Sequence, residues 1–301
     1  MLNNILKISF IFFLISCADD SVSSNDGSDS LGASNLNIIT WNIERYPKHE
    51  NTNDNLVSII QSLGNTDIFA LQEIENSTTL SSLATRLGSN WDYFRYANSD
   101  WGQLSFLINT DRIEYTQPFS ILEEVEYDFA YRPPYILEFS FSDQSFVLIN
   151  IHYKCCGDGL LSSNSGDEEQ RRLRASNHLH EYIQANYNNT NVIILGDFND
   201  DITDEYSNNV FNIFLNSQNY LFADMPMAQE NNHWGYWSFP SWPSHLDHII
   251  ISDELFDDYN NLNSSCNTLI VDDIFNNGWI DYNQFVSDHR PVRISLDIIP
   301  E

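Results

Sequence analysis

Short apolar runs recur along the chain, and several end on a polar residue of a kind that does chemistry. The run Asn191-Val192-Ile193-Ile194-Leu195 is apolar and β-branched, the signature of a buried strand. It leads into Gly196-Asp197-Phe198-Asn199-Asp200. Side chains alternate along a strand, so a strand continuing through this stretch puts Asp197 and Asn199 on one side. They would then sit at the C-terminal mouth of a buried strand, where α/β sheets place their ligands. A polar turn, with Asp and Asn bonding nearby backbone, is the simpler reading of the same residues.

The same pattern organises the rest of the chain. Strands are expected at Leu36–Asn42, Asp67–Gln72, Trp91–Tyr96, Gln103–Asn109, Tyr135–Phe141, Ser145–His152, Tyr220–Phe222 and His245–Ile251, and in a closing run to Leu296. A further strand is expected near Leu269–Asp272. Apolar residues at helical spacing predict helices over Asn53–Leu63, Ser77–Leu87, Asp167–Ala185 and Val210–Leu215. Helices mixed with consecutive strands point to stacked sheets with outer helices rather than one parallel sheet. No linker or repeat divides residues 36–301, which read as one domain.

The first residues read differently. Lys7 and the apolar run Ile8 to Ile15 resemble an export signal, too short to span a membrane. Leu14-Ile15-Ser16-Cys17 resembles the lipobox of bacterial lipoproteins. That resemblance implies cleavage before Cys17, a lipid on its thiol and attachment to a bacterial membrane; a plain cleaved signal would leave the protein periplasmic or extracellular. Residues 18–35, rich in Ser, Asp, Asn and Gly, read as a flexible tether.

Charge narrows the partners. With 43 acidic and 13 basic residues the formal charge is −30, which lacks the basic footprint that holds long nucleic acid. No Lys or Arg lies between Arg174 and Arg290. Phosphate-binding charge must come from Arg45, Lys154, Arg171, Arg172, Arg174, Arg290 or a metal. The four cysteines are not spaced as a zinc site. In an exported protein Cys266 could pair with Cys155 or Cys156, or these two with each other.

Six strand ends carry polar groups: Asn42 and Glu44; Glu73; His152 and Lys154; Asp197 and Asn199; Asp247; and Asp288 with His289. Each has a bland explanation, such as a cap, a turn or a surface carboxylate. Together they supply carboxylates for a hard cation and imidazoles for proton transfer.

Thr40-Trp41-Asn42-Ile43-Glu44, Leu71-Gln72-Glu73-Ile74, Asn150-Ile151-His152, Gly196-Asp197-Phe198-Asn199, Leu246-Asp247-His248 and Ser287-Asp288-His289-Arg290-Pro291, in that order, resemble the DNase I-like endonuclease/exonuclease/phosphatase superfamily. The resemblance spans about residues 36–297. It implies a four-layered α/β sandwich, two facing mixed sheets flanked by helices, and hydrolysis of phosphate esters with a divalent cation, Mg²⁺ first, with Mn²⁺ or Ca²⁺ as alternatives. It implies Glu73 as the main metal ligand, with Asn42 and Asp288 contributing. Asp197 and Asn199 would orient or activate the attacking water. His289, held by Asp247, would contact the phosphate, and His152 would supply a second contact or a general acid. Either Asp197 or His289 could take the water's proton.

Lys154 and Arg171 are weaker phosphate-contact candidates, since charged residues on loops and helix faces are usually solvated. The aromatic stretch Trp234, Tyr236, Trp237, Phe239 and Trp242 reads as packing or as a platform for a base or lipid chain. The expected activity is that of a phosphodiesterase, most simply a nuclease, working as a monomer with no protein partner implied. The alternatives are a phosphatase or sphingomyelinase-like lipid phosphodiesterase, and a binding lipoprotein without catalysis.

Overall fold

The computed structural model describes residues 35–97, 102–230 and 232–299. The expected signal, lipobox and tether lie outside these residues, apart from Asn35. In chain order the elements are β1 (Asn35–Tyr46), α1 (Thr52–Ser62), β2 (Ile68–Ile74), α2 (Ser77–Leu87), β3 (Trp91–Arg95), β4 (Gln103–Asn109), β5 (Glu114–Tyr115), β6 (Phe119–Ser120), β7 (Tyr135–Phe141) and β8 (Gln144–His152). They continue with α3 (Glu168–Asn186), β9 (Asn191–Asp197), α4 (Asn212–Leu215), β10 (Tyr220–Phe222), α5 (Met225–Gln229), β11 (Asp247–Ser252), α6 (Phe256–Tyr259), β12 (Ser265–Thr268), α7 (Trp279–Phe285) and β13 (Val292–Asp297).

The strands form two mixed sheets. One has the order β12-β13-β1-β2-β4-β3 and the other β10-β11-β9-β8-β7-β5, with β6 also on β7. The pairs β1–β2 and β8–β9 are parallel. Alternation along the central strands explains the layers. Ile38, Ile68 and Ala70 face Leu137, Leu148, Ile193 and Leu195 in a core between the sheets. Ile39, Phe69 and Leu71, one residue along, pack on Leu56, Ile59 and Leu83 of α1 and α2. Val192 and Ile194 turn outward onto Leu179 and Ile183 of α3. Strands apolar on both faces require a cover on each side, and the result is the four-layered sandwich expected from sequence.

Between the sheets the apolar core is interrupted by a buried amide pair. Gln72 Nε2 donates to Asn150 Oδ1 at 2.8 Å, and Asn150 Nδ2 donates to the carbonyls of Leu71 and Ser105. These bonds fix the stacking of the sheets just beneath the strand ends that carry Glu73 and His152.

Two expectations are corrected. The strand expected at Leu269–Asp272 lies earlier, at β12, because Leu269 and Val271 pack outward in a turn that ends in a short 3₁₀ segment at Asp272–Ile274. Cys155, Cys156 and Cys266 are free thiols. Cys266 is held on β12, while the adjacent pair sits on an exposed loop with its sulfurs 2.9 Å apart.

Candidate active site

Strand register assembles the site. In the second sheet His152 of β8 lies opposite Asp197 of β9, which lies opposite Asp247 of β11. In the first sheet Asn42 of β1 pairs with Gln72 of β2, so Glu73 follows at the same edge. Asn42 joins the two sheets, donating Nδ2 to Asp197 Oδ2 at 3.0 Å and to Glu73 Oε1 at 3.3 Å.

Local backbone then aims each group. The register of β2 slips between Leu71 and Ile74, and Glu73 has φ +61°. A bulge with a left-handed residue re-aims its side chain, and Glu73 Oε2 accepts the Arg45 backbone N–H at 3.0 Å. Gly196 has φ +148°, and a Cβ there would lie 1.9 Å from the Ile151 carbonyl oxygen, so only glycine lets β9 run this close to β8.

Beyond Asp197 the expected alternation fails. β9 ends, Asn199 takes φ +54°, and its N–H donates to Asp197 Oδ1 at 3.0 Å while Nδ2 donates to the Tyr153 carbonyl at 3.3 Å. The polar turn and the site are the same structure.

His289 Nδ1 lies 2.7 Å from Asp247 Oδ2, and its Nε2 is 3.8 Å from Asp197 Oδ2 and 3.9 Å from Asp288 Oδ1. The ring packs on Phe239 with centroids 4.7 Å apart. Ser238 Oγ accepts the N–H groups of Leu246 and Asp247, and Ser287 Oγ donates to the Asn42 carbonyl while accepting the His289 N–H. Two serines thus tie the His289 and Asp247 backbones into the site. His152 Nε2 is 3.4 Å from Asp197 Oδ2.

Burial and charge set the protonation states. Burial raises Asp197 to about 7, with His289 opposing and Asp247 adding to the rise. Burial acts against charge on His289, but Asp247 and Asp197 outweigh it and hold the ring a cation well above the usual imidazole range. His152 is driven the other way, by burial and then by Arg132 and His289, and is neutral. Asp288 is raised by burial, lowered by His289 and raised by the carboxylates of Glu44 and Glu73.

A cleft of about 710 Å³ opens over Glu73, His152, Asp197, Asn199, Asp288 and His289. One wall is the Cys155–Gly157 stretch, and the other carries Phe239, Trp242 and Pro243. The structure does not bring Lys154 or Arg171 to this cleft. Lys154 Nζ donates to the Cys155 carbonyl and lies 3.6 Å from Glu168. Arg171 donates Nε to the Tyr127 carbonyl at 3.0 Å, its guanidinium 4.1 Å from the Tyr127 ring centroid, because α3 turns that residue away from the strand ends. Arg172 is buried and bound to Asp200 and the carbonyls of Lys154 and Cys156, which makes it a clamp for the cleft wall.

Arg132 is the residue that strand-end reasoning missed. It lies in a loop with no apolar run before it, yet it is buried, donates to the His152 and Tyr153 carbonyls, and feels the charges of Glu73 and Asp197. The only sequence signal was an arginine beside Pro133-Pro134, which by itself says nothing of a site.

The site's donors can be tested against a divalent metal. Glu73 and Asp288 supply carboxylate oxygens whose charges bear on each other, and the buried Oδ1 of Asn42 has no hydrogen-bond partner among the described residues. An all-oxygen set of this kind suits Mg²⁺.

Two facing mixed sheets, with carboxylates, amides and a carboxylate-backed histidine gathered at one edge, define a phosphoesterase fold of the DNase I-like class. The sequence profile of the endonuclease/exonuclease/phosphatase family matches residues 32–296, and the chain belongs to that family of phosphoesterase hydrolases, which generally use divalent metals. Similar solved structures include TDP2 from D. rerio in complex with a single-strand DNA product, with a TM-score of 0.61 at 16% identity over 87% of this chain and 99% of that one. The human Nocturnin catalytic domain with bound sulfate gives 0.58 at 16% identity over 87% and 94%. An endonuclease/exonuclease/phosphatase from Bacteroides vulgatus gives 0.60 at 12% identity over 88% and 99%. At these identities the likeness is one of fold. No curated protein was found to match the sequence.

Proposed function

We propose that this protein is an exported, divalent-metal-dependent phosphodiesterase that hydrolyses P–O bonds with water. The observation that carries the reading is the linked row Glu73–Asn42–Asp197 with His289 and Asp247 beside it, spanning both sheets at the floor of one cleft. Glu73 and Asp288, with Asn42, would hold the metal. Bound there, the ion would supply positive charge to the phosphoryl and leaving oxygens.

The remaining chemistry belongs to side chains. Asp197 takes the water's proton, since His289 is protonated and its Nδ1–H is engaged by Asp247. Asn199 fixes the orientation of Asp197 through its N–H. His289 presents its Nε2–H to the phosphate as a cation, and Asp247 keeps the ring in that state. His152, neutral, serves as a hydrogen-bond donor rather than a general acid. Positioning and charge stabilisation of this kind dominate phosphoryl transfer.

A second reading, a phosphodiester with an apolar moiety such as a lipid headgroup ester, is favoured by the cleft wall of Phe239, Trp242, Pro243 and Leu246.

The test is turnover of plasmid DNA, RNA, bis-p-nitrophenyl phosphate, inositol phosphates and sphingomyelin with Mg²⁺, with chelator, and in variants. Activity on at least one diester is expected, abolished by chelator and lowered ~10²-fold or more in kcat by Asp197→Asn and by His289→Ala. Chelator-resistant turnover, or full activity in either variant, removes the assignment. The leading segment supports export with a lipid on Cys17. Cys17→Ser is expected to move the protein from the membrane fraction to the soluble one, and an unchanged distribution argues against the anchor.

A further inference from the structure

Outside the cleft, three buried side chains converge. Asp224 ends the stretch after β10, and His245 and His248 flank the start of β11. One donor atom from each lies within 4.8 Å of the others. Asp224 Oδ2 is 3.0 Å from His245 Nε2 and 2.5 Å from His248 Nδ1. Asp224 Oδ1 accepts the Ile249 N–H at 2.9 Å.

The outer nitrogens decide what the inner ones can be. His245 Nδ1 is 2.7 Å from the Tyr236 carbonyl oxygen, and His248 Nε2 is 3.1 Å from the Asp200 carbonyl oxygen. A carbonyl only accepts, so both outer nitrogens carry protons. In a neutral imidazole the other nitrogen is then a lone pair. Here both lone pairs would point at one carboxylate oxygen, an arrangement that a cation must bridge. A histidine that donates its far N–H to a backbone carbonyl while its near nitrogen faces a carboxylate has the arrangement of a metal ligand.

Two species can bridge the gap. Two extra protons would make both rings imidazolium, with centroids only 5.2 Å apart in a buried site. One divalent ion would leave both rings neutral. Either count gives the cluster a net formal charge of +1, but the ion avoids two adjacent buried like charges. We propose that Asp224, His245 and His248 form a structural site for a borderline divalent transition metal, Zn²⁺ in the first instance, separate from the catalytic cleft. Two imidazoles and one carboxylate suit zinc better than Mg²⁺ or Ca²⁺. Zinc ligands stand about 3.3 Å apart at zinc–nitrogen distances of about 2.0–2.1 Å. The carboxylate oxygen, at 3.0 and 2.5 Å from the two ring nitrogens, therefore parts from each by less than about 1 Å to admit the ion.

The site has a structural purpose. Through His248 and the Asp200 carbonyl it ties β11, which starts at Asp247, to the turn that follows Asp197. Through His245 and the Tyr236 carbonyl it also anchors the stretch leading to Ser238 and Phe239. The ion would stiffen the base on which Asp197 and Asp247 stand without touching substrate.

The experiment is metal analysis of the full chain, stripped with chelator and titrated with Zn²⁺ in excess Mg²⁺. The expected result is about one tightly held equivalent of Zn²⁺, retained in Glu73→Gln and weakened ~10²-fold or more in His245→Gln and His248→Gln. Should those variants fail to fold, the wild type decides. Co²⁺ loading should give the visible bands of a tetrahedral ion, and imidazole ¹⁵N spectra should show one protonated and one metal-bound nitrogen in each ring. Imidazolium signals from both rings with no Zn²⁺ uptake would overturn the proposal, as would Zn²⁺ binding lost in Glu73→Gln but kept in His245→Gln. Loss of the hydrolytic reading leaves this result untouched, since no step of it depends on turnover.

Discussion

Asp197 touches almost everything in the site: Asn42 and Asn199 by hydrogen bonds, His152 and His289 at 3.4 and 3.8 Å. Its identity as a strand-end carboxylate was legible in the sequence, and so were Glu73, His152, Asp247 and His289. What was illegible was direction. Arg171 and Arg172 are adjacent on one helix, yet one packs on Tyr127 and the other clamps Asp200, because neighbouring helical residues diverge. The cleft rim carries a second carboxylate with a measurable consequence. Burial, with Asp200 and Asp201 nearby, raises Asp204 to about 6 from an ordinary 3.8. A carboxyl whose folded value lies above its unfolded one contributes its full stability below pH 3.8, and that contribution is lost as pH rises through about 6. Asp204→Asn should therefore stabilise the protein above pH 6, by about 1 kcal/mol once partial exposure is discounted, and much less at pH 4. Paired thermal melts at the two pH values check this. A gain at pH 4 as large as at pH 7.5 would mean that charge is not the cause.

At the level of elements, apolar runs announced nearly every strand that reaches the cleft, since a strand covered on both faces must be apolar throughout. Of the short pieces, β10 and α4 showed in the sequence while others did not. β5 and β6 have two residues each, and α5 and α6 have five and four, too few for any periodicity to register. Strand irregularities were equally hidden, because the slip in β2 that aims Glu73 depends on pairing with β1 and β4 rather than on local composition. Gly196 is the point where element geometry and chemistry meet. Its φ of +148° and the 1.9 Å approach of a would-be Cβ to the Ile151 carbonyl leave no room for a side chain. Gly196→Ala should push β9 off β8, costing about 3 kcal/mol or more and lowering activity with stability. Soluble yield and the melting temperature read this directly. A variant with wild-type Tm would show that the sheet absorbs the methyl group and that glycine is not required there.

The whole molecule adds a constraint that no single residue shows. The chain carries a formal charge of −30, and Arg172, already paired with Asp200 and Glu169, is the one Lys or Arg among the described residues lining the cleft. A polyanion approaching this surface is repelled along its whole length, whereas a small diester meets only the local field over His289. Salt shortens the range of that repulsion, from a Debye length of about 30 Å at 0.01 M to about 8 Å at 0.15 M. If long DNA is a substrate, its kcat/KM should rise about tenfold between those ionic strengths, carried by KM, while a singly charged diester changes by less than about twofold. This is the reverse of proteins that grip DNA by neutralising phosphates, whose affinity falls steeply with salt. Steady-state kinetics on plasmid and bis-p-nitrophenyl phosphate across that range separate the two cases. DNA turnover that weakens with added salt would require a basic track that the cleft does not display. Turnover of the small diester with no DNA cleavage at any salt would place the substrate among compact esters.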